Sequence, residues 1–475
     1  MKRILLSFSC LFALVISAFA EAPKPNIIFV LADDLGYGDL GCFGQKHIQT
    51  PNLDKMAEQG MRLTDFYSGS TVCAPSRCVL MTGQDTGNCW VRGNANNSDA
   101  QTLRPEDVTV AEKMKEAGYA TALFGKWGLG ELDSSGHPNK QGFDEFYGYL
   151  NQRHAHNFYP TFLIHNGKEV ALNNDVDPRW AAYAKETSAP DDGAGFASPE
   201  GKKDYAPELI YQGAKKWISE QAKTDQPFFI YYALNTPHAN NEANRVLKDG
   251  QEVPSYGIYA DKDWSNPNKG QAAMITKFDS EMGEIMELLQ KTGQAENTLI
   301  LFTSDNGHHK EGGNDPEFFD ANGPLRGMKR DLTEGGIRVP TIAWWPGTIP
   351  AGQSTAHPAA FQDFMATACE LAGVETPQNT QSHSFAAALK GEAQPATSHL
   401  YWEFYEKGSK QAVRFGKWKA IRRPIFTGEI ELYDLSSDIG EETNLAETHP
   451  DLVKKAESLM KSSHTPNPNW KPRGK

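Results

Sequence analysis

The chain has 475 residues, with 47 Lys and Arg against 60 Asp and Glu and a formal charge of −13. That balance excludes a general nucleic-acid binder, which needs a basic face, so an anionic ligand must be met by local bases. Six cysteines are too few for a disulfide scaffold.

Lys2 and Arg3 precede an apolar or small-residue run over residues 4–20 that ends Ser17-Ala18-Phe19-Ala20. A charged start, an apolar middle and an Ala-x-Ala end read as a secretory signal cleaved after Ala20. The expected location is therefore periplasmic or extracellular. Cleavage removes two bases, taking the charge to −15, and leaves five cysteines, an odd number that suits one being chemically special. Cys10 has no convincing lipobox before it, and no later segment is long and apolar enough to cross a membrane. Cys78 and Cys89 would be able to pair in an oxidising compartment, which spacing leaves open.

Along the mature chain, residues 27–32 form a short, wholly apolar run, as expected for a strand buried on both faces of a parallel sheet. Residues 228–232 and 298–302 read the same way. Between them, residues 107–117 predict a helix ended by Gly118, and Met274, Ile275, Phe278, Met282, Ile285 and Leu289 predict one apolar helical stripe. The surroundings of Asp191-Asp192-Gly193 and residues 240–268 read as long polar loops. From about Ser398 the pattern changes to short strands at 400–405, 411–415, 418–421 and 430–435, then an amphipathic helix at 450–460. The expected fold is α/β, a large mostly parallel sheet flanked by helices, with a small α+β subdomain of antiparallel strands and one helix. The boundaries are a leader at 1–20, a catalytic domain at 21–397 and a subdomain at 398–475.

Cys73-Ala74-Pro75-Ser76-Arg77 is the most informative stretch. Cys-x-Pro-Ser-Arg is the recognition pattern for oxidation of the thiol to an aldehyde, Cα-formylglycine. Its hydrate carries two hydroxyls on one carbon. One can attack a sulfate ester, and the other can then lose its proton and expel sulfate, which a serine could not do. Pro75 in a first helical turn and Gly83 as terminator place residue 73 at a helix N-terminus, where an anion is favoured. Arg77, one turn on, points back toward it.

Asp33-Asp34 and Asp305-Asn306 directly follow two of the buried strands, where open parallel sheets collect ligands. Acidic pairs there repel unless a cation lies between them. Four oxygen donors suit a hard cation, Ca²⁺ first and Mg²⁺ second.

Together with Pro25-Asn26-Ile27-Ile28, Gly125-Lys126-Trp127, Pro237-His238 and Glu334-Gly335-Gly336-Ile337-Arg338, these motifs identify a family. In order and over nearly the whole mature chain, they resemble the formylglycine-dependent (type I) sulfatases of the alkaline phosphatase-like superfamily. The resemblance implies a sulfuric ester hydrolase with Ca²⁺ on Asp33, Asp34, Asp305 and Asn306 and with modified Cys73 as a further ligand. It also implies Arg77 steadying the diol, Lys126 and Lys329 holding sulfate oxygens, and His238 protonating or polarising the leaving oxygen. A formylglycine-generating enzyme is the implied maturation partner. The favoured substrate is a sulfated carbohydrate, on galactose or N-acetylgalactosamine units of a polysaccharide. A phosphomonoester or phosphonate hydrolase of the same superfamily and a non-catalytic sulfated-glycan binder are the competing readings.

One position departs from the family. Gly-Lys-Trp usually continues with a histidine that helps deprotonate the diol, and here Gly128 follows. His154 and His156 are candidates for the missing imidazole. With Arg92, Arg153 and Asn157 they are also candidate substrate contacts, and Trp90, Tyr147 and Tyr159 are candidate sugar-stacking rings.

Overall fold

The computed structural model describes residues 24–95 and 99–472. The expected leader lies outside them. Ten strands form the main sheet: β1 (Asn26–Ala32), β2 (Met61–Leu63), β4 (Ala120–Lys126), β5 (Glu145–Tyr149), β6 (Phe162–His165), β7 (Lys168–Ala171), β8 (Phe228–Ala233), β9 (Thr298–Ser304), β10 (Thr341–Trp344) and β11 (Gln353–Thr355). Their spatial order is β11-β2-β10-β9-β1-β8-β4-β5-β6-β7. The five central strands, β9 to β5, run parallel, and antiparallel pairs begin at β10 and β6. β3 (Phe66–Tyr67) and β12 (Ala359–Ala360) pair separately.

β1 shows why the centre reads as continuous apolar sequence. Ile27, Phe29 and Leu31 enter one core, against the helices Cys73–Thr82, Val110–Glu116 and Asp363–Ala372. Ile28, Val30 and Ala32 enter the other, against the helices Pro51–Gln59, Ala206–Gln221 and Asn266–Lys291. Strand alternation puts successive residues on opposite faces, and both faces are covered. Register then aims the chemistry. β1 pairs with β9 so that Ala32 lies opposite Ser304, and the next residues, Asp33 and Asp305, leave the sheet side by side.

Two expectations shift, and the pairing of Cys78 and Cys89 that spacing left open is answered. The helix expected over 107–117 starts at Val110, because Thr109 and Glu112 close a capping box. The segment 240–268 is not all loop. Asn240 accepts from the Ala243 amide and starts the helix Asn241–Leu247, and Ser265 caps the long helix at Asn266. Cys78 and Cys89 are free thiols, both buried.

Strands β13 (Leu400–Phe404), β14 (Lys410–Phe415), β15 (Trp418–Arg423) and β16 (Glu429–Asp434) form an antiparallel sheet in sequence order. The helix Pro450–Ser462 covers one face. The other packs on Tyr67, Val72 and Ile337 of the main body, and Trp402 donates to the Ser68 carbonyl at 3.0 Å. The small sheet therefore braces the segment entering Cys73.

That seam contains a buried ion cluster. Glu334 accepts from Lys419 at 2.7 Å, Arg338 at 3.0 Å and the Tyr67 hydroxyl at 2.7 Å, while Arg414 and Arg338 share Asp65. Burial alone would raise the Glu334 carboxyl, but Lys419, Arg338 and Arg414 outweigh it and hold it below the usual range. Glu334→Gln leaves Lys419 with Glu441 alone and the two arginines with Asp65 alone, and breaking a buried pair costs about 3–5 kcal/mol. A folded pKa below the unfolded one contributes stability at pH above the unfolded value and loses it as pH falls toward the folded one. In urea unfolding, the gap between wild type and variant is thus widest near neutral pH and narrows below pH ~4.

Candidate active site

The helix Cys73–Thr82 opens beside the carboxyl ends of β1 and β9 and closes at Gly83, whose φ is 67°. Cys73 is its first residue. The Ala74 amide donates to the Asn94 side-chain carbonyl at 3.1 Å, so an outside residue serves the first turn. The Cys73 Sγ lies 3.5 Å from Asp33 Oδ1. Burial pushes its thiol well up, against the pull of Lys126. A thiol kept protonated is a poor nucleophile, so unmodified cysteine is ill suited to attack here.

Around residue 73 stand three carboxylates and three cations, all buried. Lys126 donates to Asp33 at 2.6 Å, Lys329 to Asp34 at 2.6 Å, and Arg77 to Asp305 at 2.8 Å. Arg77 is directed at Asp305, the Lys126 carbonyl and the Tyr231 hydroxyl. Asp34 holds a φ of 67°, the left-handed region that Asp tolerates better than most residues. His238 gives its Nδ1 to the Ala239 carbonyl at 2.7 Å and sets Nε2 3.1 Å from Lys329 Nζ. Burial and the Lys329 charge lower its pKa to about 3.

The donor set fits a hard divalent cation. The Asn306 Oδ1 is buried and has no hydrogen-bond partner, while its Nδ2 donates to Asp34 Oδ1 at 2.6 Å. Burial and the neighbouring Asp33 charge push Asp305 up, as carboxylates do when too much negative charge meets in one place. Asp33, Asp34, Cys73 and His238 also present ligand atoms within 4.8 Å of one another. Three carboxylates already balance three cations, so an added divalent cation leaves net positive charge for an anion.

Cys73, His238 and Lys329 line a cavity of about 250 Å³, closed by Asn94, Gln152, Arg153, His156, Asn241, Glu311, Arg330 and Glu406. Of the expected substrate contacts, the structure brings in Arg153 and His156. His156 stacks on His238 with centroids 4.4 Å apart and places Nδ1 3.2 Å from Glu242.

Arg92 and His154 are corrections. Arg92 is buried away from the cavity, bound to Glu403, the Cys89 carbonyl and the Thr465 carbonyl. His154 is wedged between Tyr149 and Phe162, where burial lowers its pKa to about 4, and it lines a separate acidic cavity with Asp191 and Asp192. Asn157 donates to the Gly193 carbonyl and Tyr159 packs on Tyr205. Tyr147 meets His165, and Trp90 lies under Arg104. None of these four lines the cavity.

Gly128 gains a physical reading. Its φ is 80°, and a Cβ built there would lie 2.9 Å from Gln152 Cγ. Gln152 thus occupies the space a side chain at 128 would need, and its amide donates to Asn94 at 3.1 Å. Gln152, Asn94, Glu242, Glu311 and Arg330 escape sequence reasoning because they come from separate loops without a motif. Lys329 and Arg330 hold Glu311 ionised despite its burial.

Comparisons with known proteins agree with this geometry. Residues 25–374 match the family described as Sulfatase, and residues 327–464 match N-sulphoglucosamine sulphohydrolase, C-terminal. The chain is 34% identical over 378 residues to N-acetylgalactosamine-6-sulfatase of Rattus norvegicus, covering 76% of this chain and 64% of that protein. It is 30% identical over 426 residues to steryl-sulfatase of Rattus norvegicus, covering 78% and 71%. It spans 64–65% of the length of the N-acetylgalactosamine-6-sulfatases of Canis lupus familiaris, Sus scrofa and Rattus norvegicus, just under two thirds, and 74% of the Mus musculus protein. The solved structure of Ps i-CgsB in complex with k-i-k-neocarrahexaose aligns with a TM-score of 0.74 and 27% identity over 95% of each chain. Among the described residues no helix is long and apolar enough to cross a membrane. With a family match over most of its length and the family's motifs converging on one cavity, the chain belongs to the sulfatase family.

Proposed function

We propose that this protein is an exported sulfatase that removes sulfate from galactose or N-acetylgalactosamine units of a sulfated polysaccharide, using formylglycine at residue 73 and Ca²⁺. One observation carries the reading: residue 73 opens a helix inside a small cavity, amid three buried cation–carboxylate pairs. Cysteine there is the precursor, and a formylglycine-generating enzyme supplies the aldehyde. Catalytic residues fall in 21–397, with 398–475 as the bracing subdomain.

The roles follow from position. A hydroxyl of the hydrated residue 73 attacks sulfur and becomes sulfated, the bond from sulfur to the sugar oxygen breaks, and in net the attacking hydroxyl's proton passes to that oxygen. Lys126 and Lys329 would hold sulfate oxygens, and His238, whose Nε2 accepts from Lys329, would act on the leaving oxygen through that ammonium. Arg77 orients Asp305 and the strand end that carries Lys126. Asp33, Asp34, Asp305 and the unsatisfied Asn306 carbonyl would hold the cation. When bound, it neutralises charge on the sulfate oxygens as the ester breaks. His156, oriented by Glu242, takes the proton of the remaining hydroxyl in place of the absent side chain at 128. The sugar assignment draws on similarity to N-acetylgalactosamine-6-sulfatases and to Ps i-CgsB, solved with neocarrahexaose.

The test is protein co-expressed with a formylglycine-forming system, with the aldehyde at residue 73 verified by mass spectrometry. It is then screened against sulfated galactose and N-acetylgalactosamine saccharides and matched phosphate esters. Sulfate release with lower kcat/KM on the phosphates is expected, since catalysis is differential stabilisation of the transition state. Calcium at 100-fold over its Kd should also raise stability by about 2.7 kcal/mol, seen as a higher Tm. Aldehyde-bearing, calcium-supplied protein that leaves every sulfate ester intact overturns the assignment.

A further inference from the structure

The end of the small sheet nearest the active site gathers bases in a chain that is otherwise acidic. Glu406, in the turn between β13 and β14, lines the active cavity, and Lys410 at the start of β14 donates to the Arg330 carbonyl at 2.7 Å. The next residue, Gln411, points to the opposite face of the sheet, as strand alternation requires. There it lines a groove of about 520 Å³ with Arg422, Phe426, Lys454, Lys461 and His464. Five residues separate Glu406 from Gln411, so the two cavities lie no more than ~18 Å apart along the backbone.

Both signs of charge lie between the two cavities, and the bases gather in the groove. Lys410 is buried and paired with Asp331 at 3.4 Å; burial lowers its ammonium, Asp331 opposes this, and Arg423 and Lys407 add to it. Lys454, Glu457, Ser458 and Lys461 recur at helical spacing and share the groove face of the helix Pro450–Ser462. Arg422 pairs with Glu457, Arg423 with Glu431, Lys410 with Asp331 and Lys454 loosely with Asp451. Lys407 and Lys461 face no carboxylate within ion-pair distance among the described residues. The groove lining itself sets Arg422, Lys454, Lys461 and His464 against a single carboxylate, Glu457, although the whole chain carries −13.

Phe426 adds a second, independent feature. It is 39% exposed and holds a φ of 68°, a costly conformation for a bulky aromatic. Its amide is tied to the Gln411 side chain at 2.9 Å and its ring meets His464 edge-on at 4.6 Å. A fixed, exposed ring amid bases suits a ligand with both an apolar face and negative charge, and a sulfated sugar has both.

We infer that this groove is a non-catalytic subsite for a sulfated oligosaccharide, holding a neighbouring stretch of the polysaccharide whose reacting unit sits at residue 73. The inference rests on the carbohydrate sulfatase reading. The polymer leaves the cavity beside Glu406, rounds the sheet end along Lys407, and lies in the groove against Phe426, Arg422, Lys454 and Lys461. Short substrates never reach it.

The test compares wild type with the double variant Lys454→Glu/Lys461→Glu and with Phe426→Ala. The probes are a carrageenan hexasaccharide, its desulfated counterpart and a monosaccharide sulfate. At low salt, kcat/KM on the hexasaccharide should fall about tenfold in the double variant, as expected for two to three exposed contacts of ~0.5 kcal/mol each. Turnover of the monosaccharide sulfate should stay within twofold, and high salt should erase the difference by screening. Unchanged hexasaccharide turnover, or an equal fall on the monosaccharide, overturns the subsite. Calorimetric binding to the Cys73→Ala protein separates the two claims. Loss of sulfated but not desulfated hexasaccharide binding on charge reversal supports the groove even if no ester is cleaved. Undiminished or absent binding sinks it, whereas a monosaccharide sulfate left intact by matured wild type sinks only the sulfatase reading.

Discussion

Alanine at position 73 abolishes sulfate release while leaving a folded protein. The expected loss is about 10⁴–10⁶-fold in kcat, the scale of removing a nucleophile that acts as a unit with its neighbours. Among the described residues, no other cavity-lining side chain carries a hydroxyl or thiol to substitute for it. Alanine suits a helix start, and the neighbouring cation–carboxylate pairs do not depend on the thiol. Tm should therefore move by only a few degrees. Serine at 73 separates two ideas. It restores one hydroxyl but not the second on the same carbon, so it should yield at most one slow sulfate transfer per chain. Sulfate quantified by ion chromatography over many turnovers checks both variants. Sustained turnover by either would place the nucleophile elsewhere.

His156→Ala should lower kcat by about 10²–10⁴-fold, the range for a positioned general base. The release step is the one affected, so a burst of desulfated sugar should persist while free sulfate lags. Three features support the proposed role of His156 in that step. Gly128 has no side chain, and Gln152 fills the space above it with an amide that cannot take a proton at neutral pH. His156 stacks within 4.4 Å of His238 and lines the cavity beside Cys73. Glu242 is drawn up by burial but held at about 2 by the His156 hydrogen bond and neighbouring bases, so it is ionised at neutral pH and fixes Nδ1 as the protonated nitrogen. Nε2 is left as the basic atom. Glu242→Gln keeps the size but not the charge and should cost less than His156→Ala, about tenfold or more. The same variant at His154 should leave rate unchanged, since that ring lies in another cavity. Rapid-quench measurement of sugar and sulfate on one sample decides it, and a His156→Ala enzyme with intact steady-state turnover would remove His156 from the mechanism.

The pairing of His154 with His156 marks the limit of a linear reading. The two lie two residues apart in a single 3-10 turn, His154–His156, where each residue advances by about a third of a circle. One ring therefore turns into an aromatic wedge and the other toward residue 73. Arg92 fails for a related reason. Its loop passes near Asn94, which does reach the site, but Glu403 from the small sheet captures the guanidinium. Glu334 and Arg338 belong to a recognisable motif, yet their work is to join the two sheets rather than to touch the cavity.

Residues that follow a buried parallel strand must emerge at its carboxyl end, and a Pro after Cys73 with Gly83 behind it must frame a short helix. For that reason Asp33, Asp34, Cys73, Asp305 and Asn306, together with the central strands and the antiparallel tail, were legible from order and local pattern alone. Packing between distant segments decided the rest. Glu242, Gln152, Glu311 and the basic sheet end acquire meaning only through neighbours tens to hundreds of residues away, because side-chain contacts across loops leave no periodic trace in the chain.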